Sequence, residues 1–245
     1  MSYHTTLEKM RLMKLSGMAR SFQSSFEIGF GKMTPDELVA FLIDAEYDTR
    51  NNRKFERLLK TADLRYSASI EHLDFVHKRN LDKNQMLRFA SNDWLEKKQN
   101  IIITGSTGCG KSYIACALGH NACLHNYSVF YFNSSKLFKS LRIASADGTY
   151  LKKTDKIKKS DLLILDDFGL DSFDNQTRLF LLEILEDRIG LKSTIITSQI
   201  PINHWHEVIG ESNIADAFCD RILHSAHRIE LNGESLRRIF SKDLT

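Results

Sequence analysis

Residues 101–122 read IIITGSTGCGKSYIACALGHNA, and they set the class of the whole chain. Three isoleucines run together as a buried strand would. A loop with three glycines follows, closed by Lys111 and Ser112, and then a run of small and apolar residues of helical length. Gly105, four residues, Gly110, Lys111 and Ser112 fit G-x-x-x-x-G-K-[ST], placed between a predicted strand and a predicted helix as a phosphate-binding loop requires. The glycines let successive N–H groups from Gly105 through Ser106, Thr107, Gly108, Cys109 and Gly110 turn inward. With the start of the next helix, through Ser112 and Tyr113, they form a cradle for anionic oxygens. Lys111 is expected to neutralise the β- and γ-phosphates of ATP, and Ser112 to ligate Mg²⁺.

A nucleotide site with a divalent cation needs an acidic partner on a neighbouring strand tip. LLILDDFG, residues 162–169, supplies one: an apolar run ending in Asp166 and Asp167. Asp166 is expected to orient Mg²⁺ or its waters, and Asp167 to polarise the attacking water. Two adjacent carboxylates repel, which itself favours a bound cation. A further run, STIITSQ at 193–199, ends in Thr197, Ser198 and Gln199. If that strand lies between the other two, Ser198 and Gln199 sit where a lytic water is held.

From residue 101 onward, short β-rich runs alternate with helical segments. The runs are Ile101–Thr104, Val129–Asn133, Leu162–Asp166, Thr194–Ser198 and Arg228–Leu231. This alternation implies a parallel five-stranded sheet flanked by helices, with right-handed crossovers. Residues 1–75 read as a helical domain and 76–245 as the α/β domain, with Trp94 packing on the latter. Leu12, Leu15, Ala19, Phe22 and Phe26 recur at 3-4-3-4 spacing and predict one shared helix face. In TPDE, Thr34 caps the next helix, Pro35 takes its first position and Glu37 closes a capping box. That helix carries Leu38, Phe41, Leu42 and Ala45 and extends through Phe55, Leu58 and Leu59.

The chain has 245 residues, with 42% hydrophobic and 27% charged side chains, as in an ordinary folded protein. No apolar run approaches a membrane span and no signal-peptide core is present, so a cytoplasmic protein is expected. The four cysteines form no C-x-x-C pair and read as small buried side chains. His204 and His206 in HWHEVIG lack the remaining ligands of a zinc site. The net charge of +3 decides nothing by itself, so the placement of charge matters more. Arg50, Arg53, Lys54 and Arg57 fall within an arc of roughly 100° on the second helix. Such a stripe suits phosphate contacts on duplex DNA without sequence preference. A solvated helix with pairs such as Glu46–Arg50 remains open beside that reading. Lys136, Lys139 and Arg142 form a second basic group. Lys152, Lys153, Lys156, Lys158 and Lys159 read as a solvated loop.

The phosphate loop, the D-D and T-S-Q strand ends, DAFCDRILHSAHRIEL and GESLRR together resemble the AAA+ ATPases of the branch that holds the helicase loader DnaC and the initiator DnaA. With TSQIPINHWHEVIG and the helical segments LEKMRLMKLSGMARSF and FLIDAEYDTRNNRKFERLLKTADL, the chain is most similar to the IstB-like family. These are ATP-binding helpers of bacterial insertion-sequence transposition. The resemblance covers nearly the whole chain. It implies an arginine that reaches the γ-phosphate of a neighbouring subunit, by position Arg221. It also implies one that touches the nucleotide in its own subunit, Arg237 with Arg238 in reserve. Residues 232–245 suffice for one helix, so the C-terminal lid is expected to be truncated. In initiator-type relatives the segment matching Lys136, Lys139 and Arg142 lines a DNA channel. The implied activity is ATP hydrolysis by a homo-oligomer held on duplex DNA, with the transposase of the same insertion sequence as partner. The alternative is a DnaC-like helicase loader.

Overall fold

The apolar runs pair side by side and all in parallel. β1 (Asn100–Gly105), β2 (Val129–Asn133), β3 (Leu162–Phe168), β4 (Ser193–Ser198) and β5 (Ala226–Leu231) form one sheet in the order β2-β3-β4-β1-β5. The computed structural model describes residues 3–28 and 33–236. All five expected strands are present. Four of them reach one or two residues beyond the expected run, because strand pairing takes in flanking residues such as Asn100 and Ser193 that do not belong to an apolar pattern. β1, β3 and β4 occupy the centre, where helices cover both faces. There Ile101, Ile103, Leu163, Ile164, Leu165, Ile195 and Ile196 have no exposed surface. Such doubly buried parallel strands read as continuous apolar runs, which is why they were legible.

The crossovers are α6 (Lys111–Leu124) after β1, α7 (Ser134–Ala146) and α8 (Tyr150–Lys159) after β2, and α9 (Asn175–Glu186) after β3. The short α10 (Trp205–Ile209) and α11 (Ser212–Leu223) follow β4. Side chains start two of these helices: Asn133 accepts from the Lys136 N–H at 3.3 Å and Asp174 from the Thr177 N–H at 2.9 Å. An aromatic group fixes the end of β3: Phe168 is fully buried, stacked on Phe218 at 5.2 Å and tilted against Trp205 at 4.9 Å. The residue after the acidic pair is therefore nailed into the core.

Ahead of the sheet, α4 (Lys83–Ala90) and α5 (Asp93–Glu96) pack on α6 through Asn121, which donates to the carbonyl of Ala90 and to Asn92. Trp94 is buried and donates to the Phe89 carbonyl. The N-terminal helices are α1 (Tyr3–Leu12), α2 (Ser16–Ile28) and α3 (Pro35–Ala62). The capping box stands: the Thr34 N–H donates to Glu37 at 2.8 Å. The single face drawn through Leu12, Leu15, Ala19, Phe22 and Phe26 does not. The chain turns at Met13–Leu15, with Lys14 at φ 59°, and Leu12 is 81% exposed. In place of that face, Glu46 on α3 accepts from the Gly17 and Met18 N–H groups at the start of α2, a polar cap that no apolar period reveals.

The lysine-rich segment is also corrected, from loop to helix. Thr154 and Ile157 of α8 are buried one turn apart, and Lys158 pairs with Glu183 and Asp187 at 3.5 and 2.6 Å. Two buried side chains, one of them a threonine, among five lysines are too faint a period to read. The chain divides into two compact units, Met1–Arg57 and Leu58–Thr245. The last turn of α3 and residues 63–75 thus belong with the sheet. Among the described residues no helix is long and apolar enough to cross a membrane. The segment expected as a truncated lid lies outside the described residues from 237 onward.

At the strands' N-terminal ends, Arg188 holds two loops together from inside. Only 1% exposed, it donates to the carbonyls of Ile157, Ser160 and Ser193 and to the hydroxyls of Ser160 and Thr194. Burial pulls its pKa down to about 10. Removing the guanidinium leaves buried carbonyls without donors. Arg188→Met is expected to lower stability by about 3 kcal/mol or more. Urea unfolding checks this, and a variant with the wild-type midpoint would contradict it.

Candidate functional site: a phosphate loop and an acidic strand tip

The C-terminal ends of β1, β4 and β3 lie next to one another, and the phosphate loop, the aspartate pair and the polar end of β4 all come from this edge. β1 runs out at Gly105 into the loop Ser106–Gly110, and α6 begins at Lys111. Gly110 sits at φ 96°, and a Cβ there would stand 2.3 Å from the Arg79 guanidinium, so only glycine fits. As the residue that starts α6, Gly110 offers no side-chain cap, which leaves the first N–H groups of that helix for an anion. Lys111 is buried, and its ammonium donates to the carbonyls of Gly105 and Ser106 at 2.8 and 2.9 Å. The lysine thus lies across the loop it serves. Ser112 and Tyr113 are half-buried in the first turn of α6. Cys109 is buried, and its carbonyl accepts from Arg79 at 2.8 Å.

The acidic tip is built by a bulge. The β3–β4 register shifts between Leu165 and Phe168, and Asp167 takes φ 58°. Aspartate tolerates this left-handed conformation better than most residues, and strain of this kind collects at functional sites. The bulge lets both aspartates address the same edge. Asp166 has no exposed surface. Its Oδ1 accepts from the Thr197 hydroxyl at 2.5 Å, and its Oδ2 from the Tyr131 phenol at 2.5 Å. Burial, then the Asp166 carboxylate, push the Tyr131 phenol far above its ordinary pKa, so it remains a donor. Asp167 is half-buried; its N–H donates to the Thr197 hydroxyl at 3.1 Å, and its Oδ2 accepts from the Asn133 amide at 3.2 Å.

β4 does lie between β1 and β3, the condition placed on its polar end. Gln199 reaches the loop, accepting from the Thr107 hydroxyl at 2.6 Å. Ser198 is fully buried; its hydroxyl donates to the Phe168 carbonyl at 2.8 Å and accepts from the Ile200 N–H at 3.0 Å. The strand-end hydroxyl inside the acidic cluster is therefore that of Thr197.

Three further residues meet at this edge that no motif announced. Arg65, just past α3, donates to Asp166 and Asp167 at 3.4 and 3.3 Å. Tyr131 and Asn133 come from β2. Asn133 had a local signal, as a cap residue at a strand-to-helix junction; Arg65 and Tyr131 had none.

Arg221 is elsewhere. In the last turn of α11 it donates to the Ala217 carbonyl at 3.0 Å and pairs with Glu186 at 3.1 Å. It lines a cleft with Asn100, Arg188 and Thr194 at the strands' N-terminal ends. The length of β1, roughly 16 Å at 3.3 Å per residue, separates that end from the loop of the same subunit. Arg237 and Arg238 lie outside the described residues. Of the basic groups, Arg53, Lys54, Lys136 and Lys139 are exposed. Arg50 pairs with Glu46 at 2.7 Å, and Arg57 is exposed on the same helix. Arg142 pairs with Asp174 at 2.8 Å and with Thr177. His204 and His206 pair with Glu207 and Asp216, and no metal cluster occurs among the described residues.

The donor set fits a nucleotide with a divalent cation. The N-terminal end of α6, the lysine and the glycine-rich loop suit phosphate, and Ser112 and the carboxylates suit Mg²⁺. Residues 6–243 match the family described as IstB-like ATP binding protein. An insertion sequence ATP-binding protein of Sinorhizobium fredii is 44% identical over 236 residues, covering 96% of each chain. The DnaC helicase loader structure superposes with a TM-score of 0.57 at 22% identity, over 68% of this chain and 98% of that one. AMPPCP-bound DnaA from Aquifex aeolicus gives a TM-score of 0.57 at 23% identity, over 74% of this chain and 56% of that one. The structural likenesses show the AAA+ fold. The family match and the 44% identity go further: the chain belongs to the IstB-like ATP-binding proteins of insertion sequences.

Proposed function

We propose that the protein hydrolyses ATP to control its own assembly on duplex DNA, and that this assembly brings the transposase of its insertion sequence to the DNA it holds. One observation carries the reading. The polar end of β4 hydrogen-bonds to both halves of the site, Thr197 to Asp166 and Gln199 to Thr107 of the phosphate loop. Loop and acidic tip are thereby one constellation.

ATP is the substrate. Lys111 exchanges the loop carbonyls for the β- and γ-phosphate oxygens, and the first N–H groups of α6 hold the same oxygens. Asp167 accepts the proton of the attacking water and Gln199 orients that water. Ser112 and Asp166 would hold Mg²⁺, which would neutralise charge on the phosphates. Arg221 lies a strand's length from its own loop, which suits service to a neighbour's γ-phosphate. Its pairing with Glu186 is then a contact of the isolated subunit. Sharing the site in this way makes ATP favour oligomers and hydrolysis loosen them. Arg50, Arg53, Lys54, Arg57, Lys136, Lys139 and Arg142 contact the phosphates of duplex DNA, which gives grip without sequence preference. The insertion-sequence relatives favour this reading over a helicase loader.

The test is ATP turnover by the full chain with and without duplex DNA. Turnover is expected to rise with duplexes of unrelated sequence, and equal rates with and without DNA would contradict the reading. Lys111→Ala is expected to weaken ATP binding by roughly 100-fold, the loss of its charge-assisted contacts, as read by fluorescent-nucleotide titration. Asp167→Asn is expected to assemble on DNA yet turn over roughly 10²- to 10⁴-fold more slowly; normal turnover would remove Asp167 from its role. Arg221→Ala is expected to bind ATP within about two-fold of wild type while hydrolysis falls by roughly 10³-fold. Full-rate hydrolysis by monomers of the parent protein would contradict the shared site.

A further inference from the structure

Arg65 belongs to no part of the phosphate-loop motif, yet it is the one cation whose side chain reaches both aspartates among the described residues. It stands three residues beyond the end of α3, after a turn at Asp63 with φ 50°. Its Nη1 lies 3.3 Å from Asp167 Oδ2 and 3.4 Å from Asp166 Oδ2. These contacts are longer than the roughly 2.7–2.9 Å of a well-formed charge-assisted bond. The guanidinium is shared between these two oxygens and also neighbours the Tyr131 phenol, and the side chain is 43% exposed.

The surroundings explain why a cation is needed there. Asp166 is fully buried beside a second carboxylate, an arrangement that is unfavourable without positive charge nearby. Thr197 and Tyr131 give Asp166 donors but no charge. Arg65 supplies the charge, and it does so on the Oδ2 side, where both aspartates have an oxygen in common reach. The guanidinium also lies over the Tyr66 ring at 5.3 Å from its centroid, and Tyr66 lies 6.1 Å from Tyr113 in the first turn of α6. The ring contact uses the face of the guanidinium and neither carboxylate.

We propose that Arg65 is the resident counter-ion of the acidic pair and gives up Asp166 and Asp167 when a divalent cation arrives with nucleotide. The proposal rests on reading this edge as a nucleotide site. Two carboxylates and one guanidinium leave the cluster with one negative charge. A divalent cation that replaces the guanidinium neutralises the pair, and it competes with the guanidinium for the same Oδ2 oxygens. Arg65 is thus a positioning residue that sets how much Mg²⁺ the site requires.

The experiment titrates Mg²⁺ against a fixed concentration of fluorescent ADP, for wild type, Arg65→Gln and Arg65→Lys. ADP removes hydrolysis from the readout. Arg65→Gln is expected to reach half-saturation at roughly 3- to 10-fold less Mg²⁺, the size of one or two partly screened ion pairs. Without Mg²⁺, in EDTA, its ADP affinity should stay within about two-fold of wild type, and Arg65→Lys, which keeps the charge, should move the Mg²⁺ requirement back toward wild type. An unchanged Mg²⁺ requirement overturns the proposal, and so does a loss of ADP affinity in EDTA, which would make Arg65 a phosphate ligand. If Arg65→Gln does not fold, the wild type decides. Its Arg65 Nε–H resonance, assigned by comparison with Arg65→Lys, should move with Mg²⁺–ADP and not with ADP in EDTA; a resonance indifferent to Mg²⁺ overturns the proposal. Wild-type protein that binds no nucleotide would instead remove the site reading beneath it.

Discussion

A carboxylate with no exposed surface governs the active edge of this protein. Asp166 is taken out of water at the tip of β3, and a buried charge is tolerated only where donors and opposite charge surround it. The fold supplies them from three directions: Thr197 from β4, Tyr131 from β2, and Arg65 from the chain that leaves α3. Each demand constrains the topology. Thr197 can serve Asp166 only if β4 lies next to β3, and Gln199 can reach Thr107 only if β4 also lies next to β1. The strand order around the site is therefore tied to the chemistry at its edge.

Packing and strain meet at the next two residues. Asp167 occupies a left-handed conformation inside a bulge, and the fully buried Phe168 holds the strand end against Phe218 and Trp205. The aromatic core over-determines the backbone, which lets an uncommon conformation persist. The result is two adjacent aspartates with different settings: Asp166 buried and fully hydrogen-bonded, Asp167 partly open and within reach of Asn133 and Arg65. That difference suits one carboxylate to holding a cation and the other to accepting a proton.

The sequence showed what is local. The phosphate loop lies within eight consecutive residues, and the sheet strands are short apolar runs bounded by turns, so both were legible. The acidic tip was legible because strand and carboxylates are contiguous. What joined them was not. Arg65 and Asp166 are 101 residues apart, and nothing near Arg65 marks it as their partner. Tyr131 looked like any strand aromatic, and the hydroxyl that enters the acidic cluster is Thr197, one residue before Ser198. Helix α8 was hidden because its buried face rests on few residues, and the break between α1 and α2 because the apolar spacing carries on across the turn at Lys14.

On the proposed function, the triphosphate is clamped between two copies of the chain and so sets their grip on DNA. The most direct measurement is sedimentation velocity of the full-length protein with a non-hydrolysable ATP analogue or with ADP, each with two duplexes of unrelated sequence. The account predicts large protein–DNA species with the analogue on both duplexes and small species with ADP. Equal masses with the two nucleotides would contradict it.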